Sequence, residues 1–259
     1  MTPQTTKTAT TPDESTDVLR LENVTKRFGN VTAVDDLSFA VHEQEILGFI
    51  GPNGAGKSTT FNCVSGSFPP TEGTIYYRDE DVTGMPQYEL VKKGISRTYQ
   101  TFRPLNDRTV LENIELSQVP DKLFSVSDLR ADTTERAWEL CERVGLEEYA
   151  HLTPEEVPHA GMLRLEIGRA LGTDPDLLLV DEPFAGLTSE EIEESASLFR
   201  SLREEGTTLV VIDHNMHGLL DLVDRVVVIS FGEKIAEGAP QEIRDDPVVQ
   251  KAYLGGDVE

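Results

Sequence analysis

Gly51-Pro-Asn-Gly-Ala-Gly-Lys-Ser-Thr59 has the residue types and spacing of a phosphate-cradling loop, G-x-x-x-x-G-K-[ST]. Gly51, Gly54 and Gly56, with Pro52, Asn53 and Ala55 between them, let successive backbone N–H groups turn toward a nucleotide's phosphates. From such a loop Lys57 reaches the β- and γ-phosphates, the Ser58 hydroxyl can ligate Mg²⁺, and Thr59 continues into a helix. Chemistry also gathers at the end of Leu177-Leu-Leu-Val-Asp-Glu-Pro183. There Asp181 can serve the Mg²⁺ shell through water, and Glu182, one residue on, can orient a water for in-line attack and accept its proton. A third apolar run, Leu209 to Ile212, ends in Asp213 and His214. The ligand these residues imply is a nucleoside triphosphate.

The elements that must position them follow from periodicity. Ile46 to Ile50 reads as the strand before the loop, and Ser58 to Ser65 as the helix whose N-terminus faces the anion. Val18 to Phe28 and Val31 to Val41 alternate as half-buried antiparallel strands do, and Gly73 to Asp81 reads as another short strand. The middle of the chain changes to helical spacing over Thr109 to Val119 and Asp128 to Val144, with Pro120 to Ser127 as a break. Strand–helix alternation then returns. Leu177 to Val180, Leu209 to Ile212, Val226 to Ile229 and Ile235 to Gly238 read as strands, and Thr188 with Glu191 forms a capping box opening a helix through about Leu202. This pattern predicts a parallel sheet with helices on its faces. Ligands of such sheets bind at the carboxyl ends of the strands, where Gly51, Glu182 and His214 all fall.

Composition bounds the class. A chain of 259 residues suits one large α/β domain with a small helical insert. With 47 acidic against 23 basic residues, its formal net charge of −24 argues against a nucleic-acid partner, since phosphates are repelled. Such charge strains a compact state, and molar salt relieves it by shrinking the screening length to about 3 Å, so a salt-loving source is expected. Cys63 and Cys141 lack metal-ligand spacing and suit a reducing cytosol. The apolar runs all fall short of the roughly eighteen residues needed to span a bilayer. Residues 1–17 are Thr-rich without an apolar core, which reads as a disordered tail and not a signal peptide.

The loop, the Leu-Leu-Leu-Val-Asp-Glu-Pro run and Val-Val-Ile-Asp-His214 occur in the order and spacing of ABC-type ATPase subunits, and Arg97-Thr-Tyr-Gln100 resembles that family's glutamine loop. The resemblance covers about residues 18–254. It implies a P-loop NTPase fold: a mainly parallel central sheet, an antiparallel β subdomain, and a helical subdomain inserted at about 101–172 of an 18–259 domain. It further implies that Gln100 touches Mg²⁺ and reports to the transport partner, that His214 contacts the γ-phosphate, and that Phe28 stacks on adenine. Gly94 to Gln100, Arg164 to Leu171 and Ala252-Tyr-Leu-Gly255 resemble the ATP-binding subunits of branched-chain amino-acid importers, while urea, amide and lipopolysaccharide-export ATPases share parts of them. The implied cofactors are ATP and Mg²⁺. The implied partners are integral-membrane permease subunits, a second ATPase subunit and, indirectly, a substrate-binding protein, with the chain peripheral on the cytoplasmic face of the membrane. Two departures stand out. Val157-Pro-His-Ala-Gly161 replaces the common Leu-Ser-Gly-Gly-Gln signature, and Thr188 replaces an acid. Pro158 has neither hydroxyl nor N–H, which predicts a working heterodimer with a subunit bearing an intact signature.

Overall fold

The computed structural model describes residues 17–98, 103–118 and 126–254. β1 (Asp17–Phe28) and β2 (Val31–His42) pair antiparallel, each burying roughly alternate side chains. Asp17, expected in the tail, opens β1 instead, because its carboxylate meets His42 Nδ1 at 2.8 Å across the pair. The rest of the tail lies outside the described residues. β3 (Ile46–Ile50) leads through the glycine-rich loop into α1 (Lys57–Val64). The strand expected over Gly73 to Asp81 is a hairpin: β4 (Glu72–Tyr77) turns at Arg78 and Asp79 into β5 (Glu80–Asp81). Both turn residues have positive φ, 47° and 63°, as a tight two-residue hairpin connection requires.

α2 (Gln87–Lys92) and β6 (Ile95–Arg97) follow, then, among the described residues, three α-helices before the chain returns to the sheet. These are α3 (Val110–Glu115), α4 (Val126–Arg143) and α5 (His159–Leu171). α3 is shorter than its apolar spacing predicts: Thr109 caps it with Glu112, and it ends at Glu115. α4 begins inside the expected Pro120–Ser127 break, whose remaining residues from 120 to 125 lie outside the described set. β7 (Leu177–Asp181), α6 (Ser189–Glu204), β8 (Thr208–Ile212), α7 (Met216–Leu222), β9 (Arg225–Ser230), β10 (Glu233–Gly238), α8 (Pro240–Asp245) and α9 (Pro247–Leu254) complete the order.

Two sheets result. One has the order β2-β1-β4-β5 and is antiparallel; the other runs β10-β9-β3-β8-β7-β6 and is parallel except at β10. The continuous apolar runs arise because β3, β7, β8 and β9 are covered on both faces. Leu178, Val180 and Val228 face a core built with Ile114, Cys141, Leu163 and Phe199, whereas Leu177, Leu179 and Val227 face one built with β1, β2 and α1. In that second core Phe39, Phe49 and Phe61 stack in series, with centroids 5.3 and 6.4 Å apart. The stack pins α1, and so the loop before it, to both sheets; each such buried side chain contributes about 1.5–3 kcal/mol.

Candidate nucleotide site

The glycine-rich loop is shaped by close packing as well as by sequence. A Cβ at Gly51 would lie 2.2 Å from the Ile229 carbonyl oxygen, and one at Gly56 would lie 2.4 Å from that of Ala33. Gly56 also has φ +105°, a conformation that side chains resist. The Ala55 N–H turns back to Pro52 O at 3.1 Å, and the Gly232 N–H donates to Ala55 O at 2.9 Å, so the β9–β10 turn braces the loop from beneath. The first N–H groups of α1 have no intrahelical acceptor and favour an anion at that end. Ser58 stands exposed there, with Asn53 and Gly54 exposed on the loop. Lys57 is buried and donates to Gly51 O at 2.6 Å and Pro52 O at 3.1 Å, lying across the cradle. Burial pushes its ammonium below the usual lysine range, against the opposing pull of the Glu182 and Asp181 carboxylates.

Those carboxylates stand at the end of β7. Asp181 is buried and pairs with the Arg97 guanidinium at 2.7 Å. Glu182 adopts φ +51° and donates its N–H to Ile212 O at 2.8 Å, so the chain turns sharply just as it leaves the sheet. A non-glycine residue in this region is uncommon and costs about 1–3 kcal/mol, which the surrounding structure must hold in place. The turn sets Glu182 Oε1 2.8 Å from His214 Nε2, at the end of the neighbouring β8. Asp213, the residue before His214, is buried and accepts from the N–H groups of Phe184 and Asn215, both at 2.7 Å. Burial raises the Asp213 carboxyl above its usual range, and those two N–H groups hold it partly back. The strand ends therefore bring together a cation beside an anion cradle, three carboxyl groups and an imidazole.

A family model described as ABC transporter matches residues 34–185, which take in the loop, β7 and Glu182. The chain belongs to the ABC transporter family. Cassettes of this family hydrolyse ATP to power transport. A second family model, described as branched-chain amino acid ATP-binding cassette transporter, matches residues 233–259. The chain is 36% identical over 249 residues to the high-affinity branched-chain amino acid transport ATP-binding protein LivG of Escherichia coli, covering 92% of this chain and 98% of LivG. The ADP conformation of MJ1267, an ATP-binding cassette of an ABC transporter, superimposes with a TM-score of 0.84 at 32% identity, covering 92% of this chain and 99% of that one. The dimeric cassette MJ0796 matches with a TM-score of 0.76 at 29% identity, over 86% of this chain and 98% of that one.

Within this ABC cassette the remaining expected residues take distinct places. Phe28 ends β1 and is 49% exposed, its ring edge-on to Phe68 at 5.4 Å and with Lys26 Nζ 5.2 Å from its centroid. Gln100 lies outside the described residues. Pro158 precedes α5 as its N-cap, and the His159 ring reaches back so that Nε2 lies 3.0 Å from Ala185 O in the turn after Glu182. A carbonyl only accepts, so Nε2 carries the proton in that bond. Thr188 caps α6 through a full capping box with Glu191, as the spacing predicts. Among the described residues no helix is long and apolar enough to cross a membrane. Three contacts could not be read from local spacing: the Arg97–Asp181 pair, the two N–H groups on Asp213, and the His159–Ala185 bond.

Proposed function

We propose that this chain is the ATP-hydrolysing motor subunit of an importer for branched-chain amino acids. The observation that carries the reading is Glu182 at the mouth of β7, hydrogen-bonded to His214 at 2.8 Å and within the field of Lys57. In this reading Gly51, Pro52, Asn53, Gly54, Ala55, Gly56 and Thr59 wrap the phosphates with backbone N–H groups wherever the residue has one, and Lys57 leaves the Gly51 and Pro52 carbonyls to bind the β- and γ-oxygens. Phe28, half exposed at the end of β1, stacks on adenine. Glu182 takes the proton of the attacking water, and His214 holds Glu182 and the γ-phosphate in register. Mg²⁺ suits the site because a hydroxyl and a carboxylate are hard oxygen donors. Ser58, Asp181 and Gln100 would hold it, and it would neutralise charge on the phosphates.

The substrate class rests on the likeness to LivG across 92% of the chain, and on the match of residues 233–259 to the branched-chain model. Permease subunits, a binding protein and a peripheral place on the cytoplasmic face of the membrane follow from that likeness. The acidic balance keeps nucleic acid off the list of partners. The helical subdomain, at about residues 101–172, meets the permease. A second, non-identical ATPase subunit supplies the intact signature. Pro158 offers no N–H, and His159 is engaged with its own subunit's Ala185. A salt-loving source accounts for the −24 charge.

Uptake of labelled leucine, with labelled urea as a control, tests the substrate. Deleting the gene in its host should lower leucine uptake at least tenfold; the wild-type chain should restore it and Glu182→Gln should not. Unchanged leucine uptake with lost urea uptake would transfer the chain to the urea and amide importers.

A further inference from the structure

Asp181 is held by two consecutive residues of the segment that leads into Gln100. The Arg97 guanidinium donates to Asp181 Oδ2 at 2.7 Å, with the two side chains only 6% and 8% exposed. Its other amino group donates to Asn62 Oδ1 at 2.7 Å and Ser65 Oγ at 3.2 Å, both on or at the end of α1. The Phe61 ring lies 5.5 Å from the guanidinium carbon. Thr98 clamps the backbone of the same residue. Its hydroxyl accepts the Asp181 N–H at 3.3 Å, and its own N–H donates to Leu179 O at 2.9 Å.

We propose that Arg97 is a positioning residue that fixes the Asp181 carboxylate for the divalent cation and ties it to both α1 and the strand entering the glutamine loop. The proposal rests on the reading of Asp181 as the carboxylate that serves Mg²⁺. A carboxylate this buried has few ways to stay oriented without a partner, and a planar, multi-pronged donor fixes direction where a point charge does not. Arg97 uses Oδ2, so Oδ1 would be the oxygen that serves the metal. Loss of the guanidinium also removes a repulsive charge, which by itself would favour the metal. Orientation outweighs it, because a buried carboxylate stripped of its partner turns away or gains a proton. Residues that orient a metal's carboxylate typically carry 10–100-fold of its affinity. Through this one side chain, any shift of the segment near Gln100 is felt at Asp181 and at the phosphate helix together.

The test is ATP binding to the purified chain by calorimetry, in EDTA and across a Mg²⁺ series, with melting temperature as the check on folding. Arg97→Met should bind ATP in EDTA within about twofold of wild type yet need about tenfold more Mg²⁺ for the metal-dependent gain in affinity. Arg97→Lys, which keeps the charge but cannot span Asp181 and Asn62 together, should fall between. If Arg97→Met does not fold, Asn62→Ala removes one anchor of the guanidinium and should raise the Mg²⁺ requirement about threefold. Asp181→Asn separates the two ideas. If it abolishes the Mg²⁺ gain while the folded Arg97 variants or Asn62→Ala match wild type, or need less metal, the positioning role is wrong. If Asp181→Asn itself leaves the Mg²⁺ gain intact, the metal reading of Asp181 fails instead.

Discussion

At the residue scale the site is a single rim at which Lys57, Asp181, Glu182 and His214 converge. Lys57 follows Gly56, and Asp181 and Glu182 end an apolar run, so local spacing alone delivers them to one rim. Lys57 is the sharpest case for a prediction. It is buried across carbonyls it must exchange for phosphate oxygens, with two carboxylates behind it. Lys57→Ala should weaken ATP binding at least tenfold, read by calorimetry, because it deletes the one full positive charge on the loop. Affinity equal to wild type would remove Lys57 from the phosphate site. What spacing could not reveal are partners distant in sequence. Arg97 and Asp181 are 84 residues apart, and His159 and Ala185 are 26 apart, so only the folded sheet and the α5 N-terminus bring them together.

At the element scale the buried strands, α1 and α6 follow from apolar runs and capping signals, and misreadings cluster where backbone geometry rules. The β4–β5 hairpin was invisible because Arg78 and Asp79 make an unadvertised positive-φ turn without glycine. α3 ended early because its cap fixes only its start. Burial within these elements has a titration signature. The thiols of Cys63 on α1 and Cys141 on α4 are pushed up to about 11 by desolvation, and the phenols of Tyr77 on β4 and Tyr253 on α9 up to about 12. All four stay protonated in the folded chain at a pH where the unfolded chain ionises. Their stabilising contribution is therefore whole below the unfolded values, near 9.0 for the thiols, and is lost as pH rises through the folded values. Melting temperature should fall steadily between pH 9 and 11, and Cys141→Ala should flatten part of the slope. A melting temperature that rises across that range would contradict this packing.

At the scale of the whole molecule, alternating strands and helices announced the parallel sheet, and its carboxyl edge is where the site assembles. The charge of −24 is spread over a single cassette. Melts of the purified chain should shift upward by several degrees from low salt to molar KCl as that charge is screened. A melting temperature that is flat or falls with salt would end the salt-loving reading and leave the nucleotide chemistry untouched. The motor itself is tested most directly by Mg-ATP turnover and ATP binding measured side by side for wild type and Glu182→Gln. That substitution keeps the shape of the side chain next to His214 but removes the base. Binding should stay within about threefold while turnover drops by about 10² or more. Equal turnover in the two proteins would contradict the assignment of Glu182, and with it the hydrolytic site at the end of β7.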